Sequence, residues 1–581
     1  MSQSLRLVRA ILAAGWTVLA FGGTQAPPIA DSDFRAWYDV QTYRLDLKVE
    51  PEASRLSGVV GIEAKVVQGP LQSFELDLLS GRKVLAAVEI GGAISPGSSL
   101  SGKAVPFKHE GDRVRIRLSR AYSVGQSVRV AVSYELVANP SERRWGIRFG
   151  KTTDGKPWIS TSCQVLGGHS WWPCKGENEH PSDKFARLFV NATVPKGLFA
   201  VSNGRLLRRS SPQAGWETFH WRHDYPCENY AVTLNVAPYV EVKSELRLPE
   251  IAKPVPFHYY VLPGDLDKAK LEFQAVPRML EIYSEAFGPY PFPNSKFGLV
   301  QTDFWGMEHS TAVAYGNTWP SWLKKEGKED PRAGPNKYFD YILIHEVAHE
   351  WWGNAVSAAD WGHLWIHEGF ATYTEGVYVE KLFGRAKADE YFATLRPRVS
   401  EQFREYRGRG ALPSQAFNNN VYWKGAWILN TLRYYVDDDP KWWKSLREFN
   451  MRFRYRNATT EDFQKVLEEV TGKSWHRFFQ EWFYGDGLPT LKGSVTPTER
   501  AIVVEVQNSA TRDNRFHVPL YLRWTEGSRS VAKTLLLSPG SNRFSVDCAE
   551  RPSDVEAVGL QRVLGVVDVR VGAPEALFAA L

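Results

Sequence analysis

Apolar and polar positions alternate along the first part of the chain. Tyr43, Leu45, Leu47 and Val49 are separated by polar neighbours, as are Val114, Ile116 and Leu118, and then Val128, Val130, Val132 and Tyr134. Period-two patterning broken by Gly, Pro and Ser predicts half-buried antiparallel sheet from about residue 34 to 245. A Pro-bearing segment from Leu248 to Pro256 reads as a connector. From about residue 265 the period changes to that of a helix. The spacing predicts helices over 268–287, ended by Gly288 and Pro289; over 336–352, with Asn336 as N-cap and Gly353 as stop; and over 363–383, closed by Gly384. More helices follow to about 485. The charged, Gly- and Pro-rich stretch Pro320–Pro335 reads as a solvated surface loop. Alternation returns at Phe516, Val518, Leu520, Leu522 and Trp524. The pattern predicts a multidomain α+β protein: a β-sandwich over 31–247, a mostly helical domain over 248–488 and a small β-sandwich over 489–581.

Length and charge narrow the class. The chain has 581 residues, more than one hydrophobic core usually covers. Its net charge of +6 comes from 71 basic and 65 acidic residues, too dilute for a nucleic-acid footprint, and no basic stripe stands out. The N-terminus is more telling. Arg6 and Arg9 precede an apolar run from Ala10 to Gly23 that ends in small residues, so residues 1–30 read as a secretory signal peptide, with cleavage after Ala26 or an uncleaved anchor as the alternatives. The run is short for a membrane span, no other stretch is apolar enough to be one, and no integral membrane partner is expected. Cys163, Cys174, Cys227 and Cys548 are too few and too scattered for a metal cluster and read as buried thiols or one structural bridge.

Chemistry concentrates at His345-Glu346-Val347-Ala348-His349. On a helix, residues four apart share a face, so both imidazoles can reach one metal ion while Glu346 stands beside them to handle a proton. Two such His ligands, a third protein ligand and an open position make a hydrolytic zinc site, in which zinc acidifies a water and Glu346 takes its proton. The third ligand is sought on the next helix, where Glu368 lies nineteen positions after His349 and His367 is its neighbour; adjacent helical residues point about 100° apart, so only one of the two faces the metal. Glu375, two turns beyond Glu368, either orients a ligand His through its far ring nitrogen or faces solvent. The oxyanion formed at the carbonyl needs a donor besides zinc.

These residues together resemble the M1 family of gluzincin aminopeptidases, which includes aminopeptidase N and leukotriene A4 hydrolase. The pattern is His345-Glu346-x-x-His349, eighteen intervening residues, then Glu368 within Trp365-x-x-Glu368-Gly369-Phe370-Ala371. The resemblance implies His345, His349 and Glu368 as ligands of one zinc ion and Glu346 as base. Gly306-Met307-Glu308-His309 is similar to the family's G-x-M-E-N segment, which implies that Glu308 binds the substrate's free α-amino group; Trp305 and His309 depart from that segment. Gln164, ahead of Trp172-Pro173-Cys174, matches a Gln that also contacts the amine, and Tyr422 in Tyr422-Trp423-Lys424-Gly425 matches a Tyr that donates to the oxyanion. His367 stands where the family carries Asn. The implied architecture is a saddle-like β-sandwich, a thermolysin-like catalytic domain and a small C-terminal β-sandwich, without the large helical C-terminal domain many members have. The expected activity is removal of N-terminal residues from peptides with a free N-terminus. An epoxide-type hydrolase of the same fold, or a non-catalytic binding protein, is the alternative.

Overall fold

The computed structural model describes residues 33–138, 146–164, 167–176, 183–328, 339–400, 418–512 and 515–572. The expected signal peptide and the expected cap at Asn336 lie outside them.

The alternating N-terminal segments pair as the period-two pattern requires. An eight-stranded sheet is centred on Tyr38–Glu50, which runs antiparallel to Arg55–Val66 and parallel to Arg187–Pro195. A three-stranded sheet (71–77, 107–110, 113–122) and a four-stranded sheet (146–151, 157–162, 199–202, 234–237) complete this part. Tyr43, Leu45, Val49, Val114, Ile116, Val130 and Val132 are all fully buried in one apolar cluster. Burial on alternate positions is what pins each strand's register, because a one-residue slip would turn every apolar side chain to solvent.

Strand Val240–Leu246 pairs antiparallel with Val255–Val261, so residues 247–254, read as a connector, form the turn of a hairpin. That hairpin continues into a five-stranded sheet through the parallel strands Phe297–Gln301 and Val313–Tyr315, with the two-residue strand Gly306–Met307 at its edge.

The helices among the described residues are α1 (Leu266–Glu272), α2 (Val276–Phe287), α3 (Pro320–Lys325), α4 (Tyr341–Ala348), α5 (Trp365–Phe383), α6 (Arg385–Leu395), α7 (Asn419–Val436), α8 (Asp439–Phe453), α9 (Thr460–Thr471) and α10 (His476–Trp482). Three differ from expectation. The helix expected over 268–287 is split by a 3-10 turn, Phe273–Ala275, just before Pro277, which cannot donate to the preceding turn. The expected loop at 320–335 begins with α3, where the backbone N–H and hydroxyl of Ser321 both donate to Glu272 at 2.8 and 2.9 Å. The helix expected over 336–352 is α4, capped by Asp340, whose carboxylate accepts from the backbone N–H of Ile342 and Leu343. Asn317 and Tyr315 also donate to Asp340, which ties the helix start to the sheet.

Strands 489–497, 501–510, 540–547 and 566–571 form one C-terminal sheet, and 518–526, 529–537 and 552–557 a second. Their apolar faces merge with those of the helices into one continuous core, from Leu246 to Leu564, separate from the N-terminal one. The four cysteines are buried and unbonded to one another. Among the described residues no helix is long and apolar enough to cross a membrane.

One buried residue outside the site gives a measurable consequence. His223 ends strand Trp216–His223 with no hydrogen bond to either ring nitrogen, packed near Phe292. Burial, then the Lys296 ammonium, pushes its imidazole down to about 3. The unfolded chain therefore binds a proton there that the folded chain refuses, and the stability this confers above the unfolded pKa is lost as pH falls from about 6.5 toward 3. His223→Phe is expected to flatten the acid limb of the unfolding free energy, measured in urea, by up to about 1.4 kcal/mol per pH unit. Identical acid limbs would mean that the ring is protonated in both states.

Candidate active site

The site forms where α4, α5 and α7 converge beneath the edge strand Gly306–Met307. Helix α4 ends at Ala348, and the backbone of His349 stays helical (φ −64°, ψ −16°). The i, i+4 geometry therefore survives the helix end, and the two imidazole centroids lie 4.8 Å apart. The end comes earlier than the expected stop at Gly353: residues 349–352 turn inward and bury Trp351 and Trp352 completely.

Helix α5 is buried on every face from Trp365 to Val379. It lies so close to α7 that a Cβ on Gly369 would come within 3.1 Å of the Gly425 Cα and the Val421 carbonyl, so a larger residue there would force the two helices apart by a few tenths of an ångström. That approach brings α5 against α4. Glu368 Oε2 sits 3.2 Å from His345 Nε2 and 3.4 Å from His349 Nε2, and one donor atom from each of the three residues falls within 4.8 Å of the others. The far ring nitrogens are also engaged: His345 Nδ1 is 2.9 Å from Glu375 Oε1, and His349 Nδ1 is 2.7 Å from the Trp352 carbonyl. These acceptors fix the Nδ1–H tautomer and leave both Nε2 atoms facing the common centre. Tyr391 in turn donates to Glu375. Glu375 thus faces the histidine and not solvent.

His367 points elsewhere. Its Nε2 accepts the Ala358 backbone N–H at 2.8 Å and its Nδ1 lies 3.3 Å from the Tyr230 hydroxyl. His309 is fully buried with no hydrogen bond to its ring, and burial pushes it down to about 3.

The second half of the site is acidic. Glu308, Glu346 and His349 also bring donor atoms within 4.8 Å of one another. Gln164, in the turn just after strand 157–162 of the N-terminal part, donates to Glu368 at 2.6 Å and to Glu308 at 3.5 Å. Burial pushes the Glu346 carboxyl up to about 8, against the pull of His345 and His349 and with the help of Glu308 and Glu368. Burial pushes the His345 imidazole down, but hydrogen bonds it donates to the Glu368 and Glu375 carboxylates raise it well above its usual range. The Tyr422 ring stacks on His345 at 5.7 Å between centroids, and burial followed by the Glu368, Glu308 and Glu346 charges keeps its phenol protonated and able to donate.

Gly306 is required by contact: a Cβ there would stand 2.5 Å from Glu346 Oε1 and 2.6 Å from its Cγ. Gly306→Ala must displace either the edge strand or the carboxylate. The expected result is at least about a tenfold loss of kcat/KM, since a misplacement of about 1 Å costs that much or more, with the melting temperature little changed. Unaltered kinetics would show that Glu346 yields without consequence.

A family comparison can be read against this geometry. Residues 271–482 match the Peptidase family M1 domain. Over that stretch the chain is similar to peptidase family M1. The matched stretch runs from α1 to α10 and contains every residue named above except Gln164 and Tyr230. Among solved structures, the M1 zinc metallopeptidase from Deinococcus radiodurans superposes with a TM-score of 0.63 at 25% identity, covering 78% of this chain and 94% of that one. A variant of the same enzyme with a bound Tyr-Ser-Ala substrate gives 0.62 at 24% identity. Among curated relatives, a leucyl aminopeptidase from Saccharolobus solfataricus is 24% identical over 69% of this chain, which spans 49% of that protein's length. Human aminopeptidase B is 25% identical over 81% of this chain, which spans 73% of that protein. The N-terminal β part, helical catalytic region and C-terminal β strands are the expected M1 architecture.

Sequence reasoning missed what holds the Glu308 loop. Glu350 Oε1 accepts from the Thr311 backbone N–H at 3.0 Å and from Asn354, whose amide also donates to the Glu308 carbonyl at 2.9 Å. From the N-terminal part, Asn203 donates to the Ser310 carbonyl at 2.7 Å. Only the position of Glu350, directly after His349, offered a signal.

Proposed function

We propose that this chain is a zinc-dependent aminopeptidase of the M1 type that hydrolyses the first peptide bond of peptides with a free N-terminus. The observation that carries the reading is the placement of Glu308 and Gln164 beside the His345, His349 and Glu368 donors, so that an amine anchor and a hydrolytic centre share one wall.

The donor set fits zinc: two imidazole nitrogens and one carboxylate converge, each imidazole is held in the tautomer that leaves Nε2 free, and a zinc ion would be held by His345, His349 and Glu368. Bound there, zinc supplies Lewis acidity, polarising the carbonyl and acidifying a water. The protein groups do the rest. Glu346 takes the water's proton on its carboxylate and hands it to the departing amine. Tyr422 donates its phenolic proton as a hydrogen bond to the developing oxyanion. Glu308 pairs with the substrate ammonium, and Gln164 Oε1 can accept from it. A peptide extended along the edge strand Gly306–Met307 would meet Glu346 directly, because no side chain intervenes at Gly306.

The basic and then apolar N-terminal stretch supports export, with the site acting on extracytoplasmic peptides. The test of the function combines metal analysis of the purified chain with hydrolysis of an aminoacyl arylamide panel and its N-acetylated counterparts. One zinc per chain and hydrolysis of the free-amine compounds alone is the expected result. Equal cleavage of both sets would remove the exopeptidase reading.

A further inference from the structure

Trp305 stands where the similar M1 segment begins with glycine, and 47% of its surface is exposed. It does so at the border of the site, since Met307 and Glu308, just along the chain, are 1% and 2% exposed. The backbone that carries the indole is fixed. Asp303 accepts from the Ser160 hydroxyl at 2.8 Å and pairs with Arg148 at 2.8 Å, both on strands of the N-terminal part. The Thr302 hydroxyl donates to the Phe304 carbonyl at 2.9 Å, and the Gly316 N–H donates to the Trp305 carbonyl at 2.7 Å. A Cβ on Gly316 would stand 1.7 Å from the Phe304 carbonyl oxygen, so the two backbones meet at a distance that requires glycine. These contacts hold the segment through backbone atoms and the side chains of Thr302 and Asp303, and they present the Trp305 ring from a rigid base.

Two points set how a peptide passes that ring, given the aminopeptidase reading on which this inference rests. The substrate ammonium pairs with Glu308, and the cleaved bond lies at Glu346, which stands against Gly306. Among the described residues, strand Gly306–Met307 is the edge of its sheet and pairs on one side only. A peptide extended along the open side therefore runs from Glu308 toward Gly306, antiparallel to the strand. Paired strands advance together, by about 3.3–3.4 Å per residue. With the first residue's carbonyl at Glu346, the next residue of the substrate comes level with Trp305. Residues opposite one another in an antiparallel pair have Cβ atoms about 4.5–5.5 Å apart, within reach of an indole. A half-exposed indole gains most from covering a large apolar or aromatic side chain, by burial and by offset stacking.

We propose that Trp305 is a specificity-determining residue of this chain: its indole receives the side chain of the second substrate residue, the one that follows the cleaved bond, and favours large apolar and aromatic side chains there. A glycine at that position offers no such surface, so the preference belongs to this chain's departure from the segment.

The experiment uses the full zinc-loaded chain and the tripeptides Ala-Phe-Ala, Ala-Gly-Ala and Ala-Gly-Phe, with loss of each followed by chromatography. The expected result is a kcat/KM for Ala-Phe-Ala at least about fivefold above Ala-Gly-Ala, a ratio that falls to near one in Trp305→Ala and is largely kept in Trp305→Phe. A general disturbance of the strand would slow all three substrates and leave the ratio alone. The ratio of Ala-Gly-Phe to Ala-Gly-Ala should be the same in wild type and Trp305→Ala. A wild type without the preference, an unchanged ratio in Trp305→Ala, or a response of Ala-Gly-Phe in place of Ala-Phe-Ala overturns the proposal. If no tripeptide is hydrolysed, the activity assigned above fails, but the contact is still read by calorimetric binding: tighter binding of Ala-Phe-Ala than of Ala-Gly-Ala that is lost in Trp305→Ala supports it, and equal affinities overturn it.

Discussion

Glu346→Gln is expected to lower kcat by about a thousandfold, within the 10²–10⁴ range typical of a positioned proton carrier, while zinc content and KM stay close to wild type. The isosteric amide keeps the volume beside Gly306 but cannot accept and return a proton. Metal content is the sharper readout, because the site offers two overlapping donor sets, His345–His349–Glu368 and Glu308–Glu346–His349. Both imidazoles are oriented from behind by Glu375 and the Trp352 carbonyl, and only the first set uses both. Loss of zinc in Glu346→Gln, measured by mass spectrometry, would move the metal to the second set and leave the chain without a base. Retained turnover would sink the assigned role of Glu346 altogether.

Glu308→Ala is the second large expected effect. A buried carboxylate that pairs with a substrate ammonium leaves that ammonium desolvated and unpaired when it is removed, at a cost of about 3–5 kcal/mol. This corresponds to a fall of roughly 10²–10³ or more in kcat/KM for free-amine substrates. The loss should appear mainly in KM if the pair is made equally in ground and transition states. N-acetylated amides, which carry no charge to pair and are not expected to turn over, should bind as inhibitors no worse than to wild type. An equal loss on both substrate sets would make Glu308 a support of the loop and not an amine anchor. The control is near at hand, because Asn354 holds the Glu308 backbone without touching its carboxylate. Asn354→Ala should weaken binding of free-amine and N-acetylated compounds together by loosening that loop.

The proposed donor triad was legible in the sequence because its information is local. His345, Glu346 and His349 occupy one helical turn, and Glu368 occupies the next helix within a short stretch of chain. The strands were legible because a two-residue period leaves no freedom about which face is buried. Helix ends were read less well. The pattern extended α4 to residue 352, since Trp351 and Trp352 look like helical apolar positions. Their burial is achieved by a turn instead, because the chain leaves the helix at His349 to pack both rings inward. The orientation of His367 was likewise undecidable from sequence spacing: whether it or Glu368 faced the metal depended on the rotation of α5, and that rotation is set by the Gly369–Gly425 contact between α5 and α7.

By itself, then, the chain's pattern of periods and its HExxH segment determined the order of β and α parts, the family resemblance, and which residues are proposed as metal donors and base. These are properties of residues near one another in sequence, or of side chains whose chemistry leaves few alternatives. The tertiary structure alone decided how Gln164 from the N-terminal part meets Glu308 and Glu368, and how Glu350 and Asn354 secure the Glu308 loop. Those groups come from separated stretches of chain. Each is unremarkable in its own stretch and acquires a role only when packing brings carboxylates into a volume where burial raises the cost of leaving them unpaired.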